Sequence, residues 1–105
     1  DLDIYSGNDD QIVPLMSLGG KGVISVLSNV LPKETHEMAA ACLKGDFKTA
    51  AQMQLRYFDL VSALFMDVSP IPVKDAIGSC RLPLVPLSEA AHEKLASVLR
   101  QYQLI

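Results

Sequence analysis

Basic charge is in short supply in this chain. Nine lysines and arginines face twelve aspartates and glutamates, leaving a net charge of −3 over 105 residues. That balance argues against a nucleic-acid or anionic-membrane partner. No apolar run approaches the roughly 20 residues that a membrane-spanning helix needs. No amino-terminal segment reads as a signal peptide, and the first residue is Asp1, a beginning expected of a fragment or processed product. Cysteine is limited to Cys42 and Cys80. Their surroundings suit small apolar fillers in a reduced, cytoplasmic protein better than a disulfide framework. His36 and His92 stand apart from any Cys, Asp or Glu at metal-ligand spacing. Both read as helix-surface residues, and no metal centre is expected.

Half of the residues are apolar and a fifth are charged, the balance of one ordinary globular domain. The strongest pattern lies in residues 2–26. Residues 2–6 read as a short strand. Gly7-Asn8-Asp9-Asp10 reads as a turn and helix start, where acidic side chains suit the helix's positive end. Ile12, Val13, Leu15, Met16 and Leu18 supply an apolar helical face. Pro14 falls in the first turn, where its missing N–H costs little, and Gly19-Gly20 forms the C-cap. Residues 22–26 are nearly continuous in apolar and β-branched side chains, which predicts a strand covered on both faces. Residues 27–31 form the loop leaving it, Pro32 opens the next helix, and Gly45 ends it. The order is β-α-β-α, the crossover that a parallel strand pair requires. Two parallel strands do not stand alone, so the sequence reads as a piece of a larger α/β architecture.

After Gly45 the character changes. Asp46 is expected to cap one long helix reaching about residue 66, with Phe47, Ala50, Leu55, Phe58, Val61 and Leu64 at helical spacing. Residues 69–72 break it, and a short helix follows from Pro72 to Gly78. Residues 82–87 read as an extended apolar connector whose two prolines exclude a central strand. Ser88 then caps a final helix striped by Ala91, Leu95, Val98, Leu99 and Tyr102. There is no internal repeat and no low-complexity segment. The boundary near Gly45 divides an α/β piece from an all-helical tail.

In open α/β sheets and barrels, ligands bind at the carboxyl ends of the strands. Here those ends are residues 6–9 and 26–29. Gly7 lets a ligand approach the backbone, and Ser28 and Asn29 offer hydroxyl and amide groups for a small polar or anionic substrate. The plainer alternative is that Asn8, Asp9 and Asp10 are turn and cap residues only. Gly19-Gly20-Lys21-Gly22 looks like a phosphate loop but precedes its strand instead of following one, so it reads as a tight αβ connection. Among Lys21, Lys33, Lys44, Lys48, Lys74 and Lys94, none lies in a strand where burial would prepare it to form an imine. No Ser-His-Asp or Cys-His arrangement is readable, so the chain does not visibly contain its own catalytic machinery.

Four segments in order carry a specific likeness. They are Tyr5-Ser6-Gly7-Asn8-Asp9-Asp10, Leu18-Gly19-Gly20-Lys21-Gly22-Val23-Ile24-Ser25-Val26, Ser69-Pro70-Ile71-Pro72-Val73-Lys74 and Arg81-Leu82-Pro83-Leu84-Val85-Pro86-Leu87. Together they resemble the C-terminal part of the 4-hydroxy-tetrahydrodipicolinate synthase family, and the resemblance covers essentially the whole chain. It implies an α/β protein, the C-terminal part of a (β/α)8 TIM barrel followed by a helical C-terminal domain. Residues 1–45 would be the last two βα units and residues 46–105 the helical domain. The family condenses pyruvate with aspartate semialdehyde in lysine biosynthesis, through a Schiff base on a buried barrel lysine and a tyrosine proton relay. It uses no cofactor and no metal, and it is usually a homotetramer, so a homo-oligomer is expected here too.

By that resemblance Gly7 matches the glycine ending the seventh strand, beside the pyruvate-derived group. Ile24 matches the eighth-strand residue whose backbone carbonyl faces the substrate pocket. Both act through backbone, so no catalytic side chain is assigned in this chain. The Schiff-base lysine and relay tyrosine are expected upstream, and Tyr5, Tyr57 and Tyr102 do not take the relay role. Between Lys74 and Arg81 the chain is shorter than the family pattern by roughly two helical turns. Two further readings compete. One is a fragment of a sister pyruvate-dependent lyase, such as N-acetylneuraminate lyase or a ketodeoxy sugar acid aldolase. The other is a non-catalytic fragment that self-associates through exposed strand edges and helices.

Overall fold

The computed structural model describes residues 1–67, 71–77 and 87–104, and the chain forms two compact units that divide after Phe58. Cys80, Gly78, the Ser69-Pro70 and Arg81-Pro86 motif positions and the connector up to Pro86 lie outside the described residues.

The first unit is built on a parallel strand pair. Strand β1 (Tyr5–Ser6) pairs with β2 (Gly22–Val23) in the register Tyr5 to Gly22 and Ser6 to Val23. Lys21 N–H donates to the Ile4 carbonyl and Ile24 N–H to the Ser6 carbonyl, both at 2.8 Å, so the pairing continues one bond past each end. Gly22 sits close under its neighbour: a Cβ there would lie 3.2 Å from the Tyr5 ring, which would have to give by a few tenths of an ångström. Helix α1 (Ile12–Ser17) makes the crossover, and Gly19 leaves it at φ +103°, a conformation that L side chains rarely adopt.

The strands are shorter than the sequence predicts. Residue 26 has left the strand for a physical reason: Val26 is already helical (φ −78°, ψ −39°) and leads into a 3-10 turn, Leu27–Asn29. The predicted cover on both faces is also unmet within this chain, since Ile24 is 74% exposed. A two-stranded sheet with one crossover helix lacks the second layer that such a sequence is written for.

Helix α2 (Pro32–Leu43) starts with proline at its first position and ends before Gly45, which sits at φ +81°. Helix α3 (Phe47–Arg56) follows, capped by Asp46, whose carboxylate accepts from Thr49 N–H at 3.2 Å. Helices α1, α2 and α3 pack on one another. Their contacts bury Ile12, Met16, Leu27, Met38, Cys42 and Ala50. Burial pushes the Cys42 thiol above its ordinary pKa, so it stays protonated and inert, as the sequence suggests. The single long helix expected from residue 46 to 66 is interrupted at Tyr57 (φ −96°, ψ 8°). Apolar residues recur on the helical period straight through the break, so periodicity alone cannot reveal it.

Among the described residues of the second unit the regular elements are all helices. Helix α4 (Phe58–Leu64), which starts on the last residue of the first unit, buries Leu60, Val61, Ala63 and Leu64. Helix α5 (Ile71–Ile77) buries Ile71 and Val73, and α6 (Glu89–Gln101) buries Leu95 and Leu99, one turn apart. Ser88 caps α6 by accepting from Ala91 N–H at 3.2 Å, as its sequence signature predicts. Helices α5 and α6 pack together. His92, expected to be a solitary surface residue, is 57% exposed but pairs with Asp75 across these two helices, Nδ1 to Oδ2, at 2.6 Å. Among the described residues no helix is long and apolar enough to cross a membrane, and no group of His, Cys, Asp and Glu is arranged to hold a metal ion.

Candidate functional site

The carboxyl ends of β1 and β2 lie side by side, with Ser6 set against Val23, and Gly7 and Ile24 are the residues that follow each strand. Gly7 is exposed, and a Cβ built there would meet nothing within 4 Å. Its backbone is therefore open to an approaching group. Ile24 exposes most of its side chain, while its N–H is committed to the Ser6 carbonyl. Lys21 sits at the opposite end of β2, away from this pair of positions. That placement accords with reading residues 19–22 as a connection between elements.

The turn after β1 is closed by its own hydroxyl. Ser6 Oγ donates to the Asn8 carbonyl at 2.7 Å and accepts from Asn8 N–H at 3.2 Å, bracketing Gly7. The loop after β2 is closed by Ser25, Ser28 and Asn29. Ser28 N–H donates to Ser25 Oγ at 2.9 Å and Ser28 Oγ to the Ser25 carbonyl at 2.8 Å. Asn29 Nδ2 donates to the Val26 carbonyl at 3.2 Å. Ser28 and Asn29, expected to offer polar groups to a ligand, turn toward their own loop instead. Hydroxyl and amide side chains near strand ends commonly make such local bonds.

Asp9 joins the two loops. It is fully buried, and three donors converge on its carboxylate: the Ser25 hydroxyl, and the Val26 and Leu27 N–H groups at 2.9 Å each. Its own carbonyl accepts from Gln54 Nε2 on α3 at 2.8 Å, while Gln54 Oε1 accepts from Val13 N–H at 3.1 Å. The sequence assigns Asp9 and Asp10 to capping the helix that follows them, and the structure exchanges these roles. Helix α1 has no side-chain cap from its own N-terminal neighbour. Gln54 satisfies its Val13 donor from 41 positions away, Pro14 has no donor to satisfy, and Asp9 caps the turn beyond β2. Asp10 stays exposed. Among the described residues no buried side-chain nitrogen or oxygen lacks a partner.

Two of these residues were missed by sequence reasoning as parts of the site. Gln54 carries a signal: it shares a helix face with buried Ala50 and Tyr57, at i−4 and i+3, and a polar residue on an apolar stripe needs a partner. Asp9 carries none that separates it from Asp10. The three tyrosines have separate surroundings. Tyr57 is buried with the Arg56 guanidinium 5.5 Å from its ring centroid, and Tyr102 follows α6. Tyr5 instead joins Val23, Ser25, Thr35 and His36 around a shallow cavity of about 300 Å³ beside α2. Thr35 Oγ1 already donates there to the Leu31 carbonyl, and Ser25 to Asp9. What the site offers chemically is backbone at two strand ends, held in place by a buried polar network, and no nucleophile.

The model of the Dihydrodipicolinate synthetase family matches residues 1–102. The 4-hydroxy-tetrahydrodipicolinate synthase of Acetivibrio thermocellus is 49% identical over 112 aligned positions, which take in all of this chain and 38% of that protein. Its namesake from a Thermoanaerobacter species is 51% identical over 111 positions, 99% of this chain and 37% of its own length. Both alignments are longer than the 105 residues of this chain, so the relatives carry residues that it lacks. The crystal structure of dihydrodipicolinate synthase from Aquifex aeolicus superposes with a TM-score of 0.95 at 41% identity, over 98% of this chain and 38% of that one. The Thermotoga maritima enzyme gives 0.93 at 40% identity, over all of this chain and 38% of its own. The chain thus spans a little over a third of the length of these relatives. Matched along residues 1–102 in sequence and along its length in fold, the chain belongs to the dihydrodipicolinate synthetase family.

Proposed function

We propose that this chain is the carboxy-terminal portion of a 4-hydroxy-tetrahydrodipicolinate synthase. In this reading residues 1–45 are the last two βα units of a (β/α)8 barrel and residues 46–105 belong to the helical domain that follows. The complete enzyme joins pyruvate, held as a lysine Schiff base, to aspartate semialdehyde in lysine biosynthesis. It works in the cytoplasm as a homo-oligomer, a tetramer by resemblance, and needs no cofactor. The observation that carries the reading is the near-complete match of this chain to synthases of that name at about half identity.

The local geometry supports a pocket-lining role. Gly7 and Ile24 stand at adjacent strand ends where ligands of α/β proteins bind, and each has backbone to present. Gly7 would sit beside the pyruvate-derived group, and the Ile24 carbonyl would face the pocket. Neither supplies a nucleophile or a base, so the chemistry falls to groups upstream of Asp1, the imine-forming lysine and the relay tyrosine. The chain by itself is then inactive.

The test is a condensation assay on the complete polypeptide that contains this sequence, with pyruvate and aspartate semialdehyde. Turnover that needs both substrates is expected. Cleavage of N-acetylneuraminate or a ketodeoxy sugar acid without condensation would assign it to a sister lyase instead.

A further inference from the structure

The two positions proposed to meet pyruvate are held by one buried side chain. Ile24 lies between two fixed points: its N–H is bonded to the Ser6 carbonyl at 2.8 Å, and the next residue, Ser25, donates its hydroxyl to Asp9. The two residues after that give their N–H groups to the same carboxylate at 2.9 Å. Gly7 lies two residues before Asp9, inside the turn that Ser6 closes onto Asn8. Gln54 holds the Asp9 peptide itself from α3. Asp9 is 0% exposed, behind the strand ends and not at their surface. A shift of Asp9 therefore shifts both loops together.

We propose that Asp9 is a positioning residue of the pyruvate pocket, locking the loop after β2 onto the turn after β1 so that the Gly7 and Ile24 backbones keep a fixed spacing. This rests on the assignment of those two positions to the pocket. The role is geometric and does not depend on the charge of Asp9. An asparagine at position 9 reproduces the network: its Oδ1 accepts from Val26 and Leu27, and its Nδ2 donates to Ser25 Oγ, a hydroxyl that both donates and accepts. Alanine at position 9 loses all three bonds. A displacement of about 1 Å in a positioning element is enough to cost about a hundredfold in rate.

The experiment compares Asp9→Ala, Asp9→Asn and Ser25→Ala in the complete polypeptide. It measures kcat and the pyruvate KM, alongside the folded fraction by circular dichroism at the assay temperature. Asp9→Ala is expected to raise the pyruvate KM about tenfold or more in the molecules that remain folded. Asp9→Asn should stay within about threefold of the native value, because its hydrogen bonds survive. Ser25→Ala, which removes one of the three bonds to Asp9 together with the bond from Ser28 N–H to Ser25 Oγ, should raise KM about threefold, and it decides the matter if Asp9→Ala does not fold.

A purely structural role predicts something else: kcat falling with the folded fraction while KM stays constant. That result overturns the proposal. So does an Asp9→Asn variant as impaired as Asp9→Ala, because the charge would then be what matters. If the native polypeptide forms no borohydride-trappable adduct with pyruvate, the synthase reading falls and this proposal falls with it. If it does form one and the variants keep the native KM, only the role of Asp9 is refuted.

Discussion

Gln54 bridges α3 to the Asp9 peptide and to the first turn of α1, which makes its replacement a sharp test. The perturbation is Gln54→Met, which keeps the side chain's length and volume and removes its polar end. Two bonds disappear, Nε2 to the Asp9 carbonyl at 2.8 Å and Val13 N–H to Oε1 at 3.1 Å. Gln54 is 7% exposed, so water does not readily replace it. Each buried group left without a partner costs about 1–3 kcal/mol, which for two groups gives about 2–5 kcal/mol once the added apolar contact is set against it. The methionine leaves no cavity, so no packing loss enters.

The control is Gln52→Met on the same helix. Gln52 is exposed, and its replacement is expected to change stability by less than about 0.5 kcal/mol. Denaturant unfolding of the complete polypeptide measures both. Amide hydrogen exchange adds a local readout, because Val13 N–H should lose its protection in the Gln54 variant alone. Equal stability of the two variants, or an unchanged Val13 exchange rate, would refute the bridge.

Gly45 and Gly7 differ in a way that alanine should expose. Gly45→Ala meets a backbone at φ +81° and should destabilise by about 1–2 kcal/mol, whereas Gly7→Ala, with nothing within 4 Å of its Cβ, should leave thermal stability unchanged and impair pyruvate use if that face lines the pocket. A stability loss at Gly7 matching that at Gly45 would contradict the open space described at Gly7, and no loss at Gly45 would contradict the strain described there. Asp46 gives a pH dependence of known sign. The Thr49 hydrogen bonds hold its carboxyl below the ordinary 3.8, so the unfolded chain binds that proton more readily. Its contribution to stability is present above about pH 4, the unfolded chain's range, and is lost as the pH falls below that through the lowered value of the folded chain. Asp46→Asn keeps a cap without the titration, so its unfolding midpoint should fall less than the native one on acidification. The difference should shrink in high salt, because the group is exposed. A native chain that is no more acid-sensitive than the variant would remove Asp46 from the account.

Most of the element order was legible because each boundary carries a local cause. Gly19 and Gly45 adopt the positive φ that ends a helix, Pro32 occupies a first position, and Asp46 and Ser88 accept from the third residue onward. The signals that failed are non-local. Val26 looks like a strand residue, and its helical turn exists because Asp9, 17 residues earlier, takes its N–H. Asp9 and Asp10 look alike, and only the tertiary fold buries one of them. Tyr57 interrupts a helix whose apolar period runs on without a break. The exposure of Ile24 follows from the same cause as its apolar character, a strand composed for neighbours that a two-stranded sheet does not have. Strand-end position alone pointed to Gly7, and the roles proposed for Gly7 and Ile24 came through the family likeness, because a backbone contribution leaves no side-chain motif to find. The network behind them is made of ordinary Asp, Ser and Gln residues whose partners lie 16 to 45 positions away.

The central claim is that this chain shapes a pyruvate pocket whose nucleophile lies elsewhere in the same polypeptide. Borohydride reduction of the complete polypeptide in the presence of pyruvate, followed by peptide mapping, tests it most directly. The account predicts one pyruvyl-lysine upstream of Asp1, with Lys21, Lys33, Lys44, Lys48, Lys74 and Lys94 unmodified. A stoichiometric adduct on any of those six lysines, or no adduct anywhere, would contradict it.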